Sequence, residues 1–112
     1  MSNTIFEEVD QDLENVYEGI TRQDRAELGM LSVPRIKEHL QKLRQQFSGT
    51  ALNERGYDSI IQSISRHLDQ LEEYCRSFHN NEPKIAQKAA LKIHASVRNQ
   101  VNALRQLNKR SK

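Results

Sequence analysis

The sequence predicts an all-α protein, an up-down antiparallel bundle of four helices or of three long helices and a short one. Three observations lead there. Apolar residues recur at helical spacing in successive stretches; only four Gly and two Pro interrupt 112 residues; and the breaks between stretches are short enough to turn each helix back on the one before. With 36% hydrophobic and 29% charged residues, the composition suits amphipathic helices around one modest core rather than a disordered chain. The length predicts a single domain, residues 1–112, with a basic tail, 109–112, that frays from the last helix.

The helix expected over 57–78 anchors this reading. Tyr57, Ile61, Ile64, Leu68, Leu71, Cys75 and Phe78 follow one another at spacings of 4, 3, 4, 3, 4 and 3, an a/d seam about three heptads long. Gln62, Arg66, Asp69 and Glu73 lie opposite the seam, so one side is covered and the other wet. Such a stripe needs a partner, which the other apolar stripes of the chain supply.

The first helix is expected over 4–21, where Phe6, Val9, Leu13, Val16 and Ile20 repeat with Tyr17 beside them. Its outer face is acidic, with Glu7, Glu8, Asp10, Asp12, Glu14 and Glu18, mostly in the N-terminal half that favours negative charge. Residues 22–31 read as a loop or short helical turn, because Ala26, Leu28, Met30 and Leu31 commit to no single face and Gly29 interrupts them. Ser32 then reads as a helix cap with Pro34 in the first turn, followed by Ile36, Leu40, Leu43 and Phe47 and a stop at Ser48-Gly49.

The third helix begins either at Thr50, tolerating Gly56, or near Tyr57 after a structured loop, and ends near His79. Asn80-Asn81-Glu82-Pro83 has the residues of a turn leading into a new helix. The last helix is expected over 82–108, with Ile85, Ala89, Ile93, Val97, Val101, Leu104 and Leu107 as its apolar set and Ala86 and Ala90 on the same side.

Cys75 is the only cysteine, so no internal disulfide forms, and small secreted domains usually depend on such staples. The first twelve residues carry acids and no base, unlike a signal peptide, and no apolar run approaches membrane-spanning length. An intracellular, cytoplasmic protein without membrane contact is expected.

Candidate chemistry is sparse. Cys75 and His79 share a helix face, and His67 and His94 complete a conceivable zinc set, yet Cys75 occupies a seam position where free cysteine acts as a small apolar residue. His67 resembles the histidine of histidine phosphotransfer domains in lying on a long helix; those domains carry a lysine shortly after it, whereas Asp69 would repel a phosphoryl group. No Glu-x-x-His pair, phosphate loop, nucleophile elbow or H-E-x-x-H motif occurs. No catalytic residue, metal, cofactor or small-molecule substrate is assigned, and enzymatic activity is not expected.

Charge is the informative signal. The first 31 residues hold eight acids against Arg22 and Arg25, and residues 83–112 hold eight bases and no acid, so the net +2 conceals a strong polarity. Lys84, Lys88, Lys92, Arg98, Arg105, Lys109 and Arg110 fall within about half the last helix's circumference and are candidate contacts to phosphates or an acidic partner. Glu7, Glu8, Asp10, Asp12, Glu14 and Glu18 are candidate contacts to a basic partner. Two function classes follow: an interaction or adaptor module that binds a protein partner or its own copy through helical faces, and, as the alternative, a nucleic-acid binder using the phosphate backbone. The basic stripe has a third reading, that it lies beside the acidic first helix and is partly neutralised there.

Overall fold

Each helix is organised by an apolar line at alternating three- and four-residue spacing. In the computed structural model, which describes the backbone of residues 2–46, 56–79 and 86–110 and the side chains of 4–46, 56–77 and 86–108, four α-helices and one 3₁₀ turn are present. Helix α1 is Ser2–Thr21, α2 is Ala26–Gln46, α3 is Tyr57–His79 and α4 is Gln87–Arg110; the 3₁₀ turn Gln23–Arg25 joins α1 to α2. The described residues form an up-down four-helix bundle, all-α as expected, with no strands. Helix α1 packs chiefly on α2, α2 on α3, α3 on α4, and α4 closes the ring on α1. The molecule measures 45 × 22 × 17 Å.

Helices α1 and α3 follow the expected lines. Phe6, Val9, Leu13, Val16 and Ile20 are buried on α1, and Tyr57, Ile61, Ile64, Leu68, Leu71 and Cys75 on α3. Phe78 lies outside the described side chains. Helix α3 begins at Tyr57, the later of the two expected starts: Gly56 takes φ +85°, and its carbonyl accepts the Ile60 amide at 3.1 Å. That left-handed conformation is open to glycine at little cost. Tyr57 is fully buried, and burial pushes its phenol up to about 12.

The N-terminal half of α2 corrects the expectation for residues 22–34. The expected loop or short helical turn is confined to the 3₁₀ turn Gln23–Arg25, and instead of a cap at Ser32 the helix starts at Ala26 and runs through both Ser32 and Pro34. Its buried line is Ala26, Gly29, Val33, Ile36, Leu40 and Leu43, one unbroken heptad pattern whose first two members are too small to announce themselves. Gly29 sits where α1 and α2 touch: a Cβ on Gly19 would stand 2.9 Å from Gly29 Cα, and one on Gly29 would stand 2.9 Å from Cys75 Sγ. Ser32 does not cap; its hydroxyl donates to the Leu28 carbonyl at 2.8 Å within the helix. Pro34 cannot donate to the Met30 carbonyl, but it lies on the exposed face of the helix. The expected stop at Ser48-Gly49, the Thr50 start and the turn at 80–83 lie outside the described residues.

Helix α4 is rotated slightly from its expected face. Ala90, His94, Val97, Val101, Leu104 and Asn108 form the buried line, while Ala89, Ile93 and Leu107 are half-buried on the α3 side and Ala86 is exposed. Ile85 lies outside the described residues. A histidine and an asparagine hold seam positions, so counting apolar residues alone misplaced the centre of the stripe.

Candidate interaction surface

The α1–α4 seam brings together the acidic and basic ends of the sequence. Buried His94, 3% exposed, donates from Nε2 to the Leu13 carbonyl at 2.8 Å, and Gln87 Nε2 donates to the Ile20 carbonyl at 3.0 Å. Burial holds the His94 imidazole below its ordinary range; Arg98 lowers it further, while the Leu13 hydrogen bond and Glu14 oppose the shift. Farther along, Arg98 pairs with Glu14 at 3.4 Å and Arg105 with Asp10 at 2.5 Å. Arg105 also lies over the Phe6 ring, 5.3 Å from its centroid, so its stem and charge are both engaged at the seam. Asp10, Leu13, Glu14, Arg98, Asn102 and Arg105 line a shallow groove of about 300 Å³ here.

The expected basic stripe is therefore divided. Arg98 and Arg105 turn toward α1 and are neutralised by its acids, the third of the alternatives the sequence raised. Lys88 and Lys92 lie on the outermost face of α4, exposed and, among the described residues, without an ion-pair partner. Asn99, Asn102 and Gln106 continue that exposed face, with no acid on it. The side chains of Lys84, Lys109 and Arg110 lie outside the described residues.

The acidic face of α1 is divided in the same way. Asp10 and Glu14 face α4. Glu8 and Asp12 face α2, where His39 Nε2 stands 3.4 Å from Glu8 and 3.8 Å from Asp12. Asp12 is 6% exposed; burial raises its carboxyl above its ordinary range, against the lowering pull of His39 and Arg35. Glu7 is exposed and Glu18 half-buried, and among the described residues neither has an ion-pair partner.

The conceivable zinc set does not converge among the described side chains. Cys75 is buried in the core with its thiol pushed up to about 11, His94 is engaged with Leu13, and His67 Nδ1 lies 3.0 Å from Gln100 Oε1 on α4. Gln100 in turn donates to Ser63 at 2.7 Å, a polar bridge between α3 and α4. The side chain of His79 is outside the described residues. Among those that are described, no group of three or more His, Cys, Asp or Glu is arranged to hold a metal ion.

Sequence reasoning placed Tyr17 beside the α1 stripe and gave it no role in binding. Its ring packs at 5.5 Å and 56° against His94, yet 41% of the residue remains exposed, placing an aromatic at the α1–α4 surface. The signal was its position one residue beyond Val16, on the flank of the stripe. Leu31, 57% exposed on the outer side of α2, is the other large exposed apolar residue among those described, and it stands alone. No helix among the described residues is long and apolar enough to cross a membrane. No family model, characterised protein or solved structure matches the chain.

Proposed function

We propose that the protein is a small helical-bundle interaction module that binds a protein partner through an exposed helical face, with the outer side of α4 as the contact for an acidic partner. The observation that carries this reading is the division of the basic stripe. Arg98 and Arg105 are tied to α1, whereas Lys88 and Lys92 stand outward on a face lined with Asn99, Asn102 and Gln106 and bearing no acid. Such a surface supplies positive charge and hydrogen-bond donors without an apolar patch, which suits reversible docking of an acidic segment.

A second reading uses the same residues to hold nucleic-acid phosphates. The acid-free lysines favour it, and the two neutralised arginines weaken it, because each charge already paired within the chain is one fewer to replace counterions on a phosphate backbone. No aromatic interleaves with the lysines, so base stacking from this face does not contribute. Titration of the protein with poly-L-glutamate and with a generic duplex, each at low and moderate salt, separates the readings. The protein reading expects saturable binding of the acidic polypeptide that Lys88→Glu/Lys92→Glu abolishes; tighter, steeply salt-dependent binding of the duplex would reverse the order. Binding of neither probe, or binding indifferent to the substitutions, would remove α4 as the contact.

A further inference from the structure

The side of the bundle formed by α1 and α4 is self-complementary, and we infer that a second copy of the chain docks on it, face to face, about a two-fold axis parallel to the helices. This rests on the interaction-module reading and names the partner. Three features of the molecule support it.

The first is charge. Glu7, exposed, and Glu18, half-buried, stand on α1, and Lys88 and Lys92 stand exposed on the neighbouring helix, none of the four with an ion-pair partner among the described residues, so α1 and α4 together carry both signs.

The second is register. The hydrogen bonds from His94 to Leu13 and from Gln87 to Ile20 place α1 and α4 antiparallel, with Glu18 level with Ala89 and Glu14 level with Ile93. A two-fold axis parallel to the bundle lays the α1 of one copy over the α4 of the other at the same height. Glu18 then comes within one turn of both Lys88 and Lys92, and Glu7 comes level with Asn99 and Asn102. Each contact occurs twice, as an isologous interface requires. A two-fold axis lying in the face and across the helices would instead lay α1 on α1 and α4 on α4, setting acid against acid and base against base.

The third is the anchor and the area. Tyr17, exposed beside His94, lies within this face, and partly exposed aromatics are the usual centres of binding energy in interfaces rimmed by polar groups. The side is 45 Å long and 17 to 22 Å across, comparable to the roughly 800 Å² per partner of a standard interface. With charged contacts rather than an apolar core, the association should be weak and favoured by low salt.

The test uses the whole chain and two reciprocal variants, Lys88→Glu/Lys92→Glu and Glu7→Lys/Glu18→Lys. None of these four residues has an ion-pair partner among the described residues, so both variants should keep the helical content of the parent. Sedimentation equilibrium through the micromolar to high-micromolar range is expected to show a monomer–dimer equilibrium for the parent, weakened by about tenfold or more in each variant alone because every substitution counts twice. An equimolar mixture of the two variants restores the opposite-charge contact of residue 18 with residues 88 and 92 in both halves of the interface and is expected to form a heterodimer near the parent's affinity. A monomeric parent at the highest concentration, a variant that dimerises as the parent does, or a mixture that stays monomeric overturns the proposal. Retained binding of poly-L-glutamate by a monomeric parent would show that only the second copy, and not the interaction module, had been wrongly assigned.

Discussion

Replacing Gly19 by alanine sets two known effects against each other at the α1–α2 contact. Alanine in a helix interior is favoured over glycine by roughly 1 kcal/mol, so Gly19→Ala at an open site would stabilise the protein. Here the new Cβ stands 2.9 Å from Gly29 Cα and 3.1 Å from both the Arg25 carbonyl oxygen and the Gly29 nitrogen. All three are backbone atoms that no rotamer change can move. Ordinary carbon–carbon contact is about 3.5 to 4.0 Å, so α1 and α2 must separate by roughly 0.5 to 1 Å, a gap that forfeits a quarter to a half of each dispersion contact along the interface.

Overpacking of this kind costs typically 1 to 3 kcal/mol, and because the helix pair carries the most extensive contact in the bundle we place the cost near or above the top of that range. The net expectation is a destabilisation of about 2 kcal/mol or more, read as a lower midpoint in urea by far-ultraviolet circular dichroism with an unchanged slope. Gly29→Ala is the internal control. Its closest obstacle is the Cys75 sulfur at 2.9 Å, a side chain that can be removed, so Gly29→Ala/Cys75→Ala should cost less than the sum of its single substitutions. A Gly19→Ala protein more stable than the parent by about 1 kcal/mol would refute the close approach itself.

Leu68→Ala should cost on the order of 2 to 5 kcal/mol, since Leu68 is fully buried at the middle of the α3 seam; a loss under about 0.5 kcal/mol in the same urea assay would put it on the surface. Pro34→Ala restores an amide donor to the Met30 carbonyl in the exposed middle of α2 and should stabilise by about 1 to 3 kcal/mol, whereas a loss would mean that α2 does not run continuously through this position. For His94, the folded imidazole sits below its ordinary value of 6.5, so the unfolded chain takes up the proton first as pH falls. Its contribution to stability is therefore flat above about pH 6.5 and declines below it, until the folded group is itself protonated. His94→Gln keeps an N–H donor near the Leu13 carbonyl and removes the titration, so urea midpoints should fall less between pH 7 and pH 5 than in the parent; parallel profiles would contradict the buried neutral imidazole.

How much of this was legible in the sequence depended on residue size and polarity at the seam. Helices α1 and α3 were readable because every seam position carries a large apolar side chain or a cysteine. The start of α2 was not, because Ala26 and Gly29 hold seam positions without looking apolar enough to count, and because Gly29, Ser32 and Pro34 each imitate a helix boundary. Close packing of Gly29 on Gly19, the Ser32 hydroxyl turned back to Leu28, and an outward-facing Pro34 together let tertiary contacts outweigh local propensity. On α4, the buried His94 and Asn108 interrupt an apolar count that is otherwise sound. The charge polarity was plain in the sequence, but which bases meet acids was not: that follows from the α1–α4 register, which only the folded bundle supplies.

The central claim, that the α1–α4 side is the surface through which this protein meets a partner, is tested most directly by residue-resolved amide spectra of uniformly ¹⁵N-labelled protein, recorded on dilution and again on titration with poly-L-glutamate. Dilution is expected to move resonances around Glu7, Tyr17 and Glu18 on α1 together with Lys88, Lys92 and Asn99 on α4, and the acidic polypeptide to move the α4 set. Changes centred on the outer sides of α2 and α3, around Leu31 or Gln70, or spectra unaltered by both concentration and poly-L-glutamate, would contradict it.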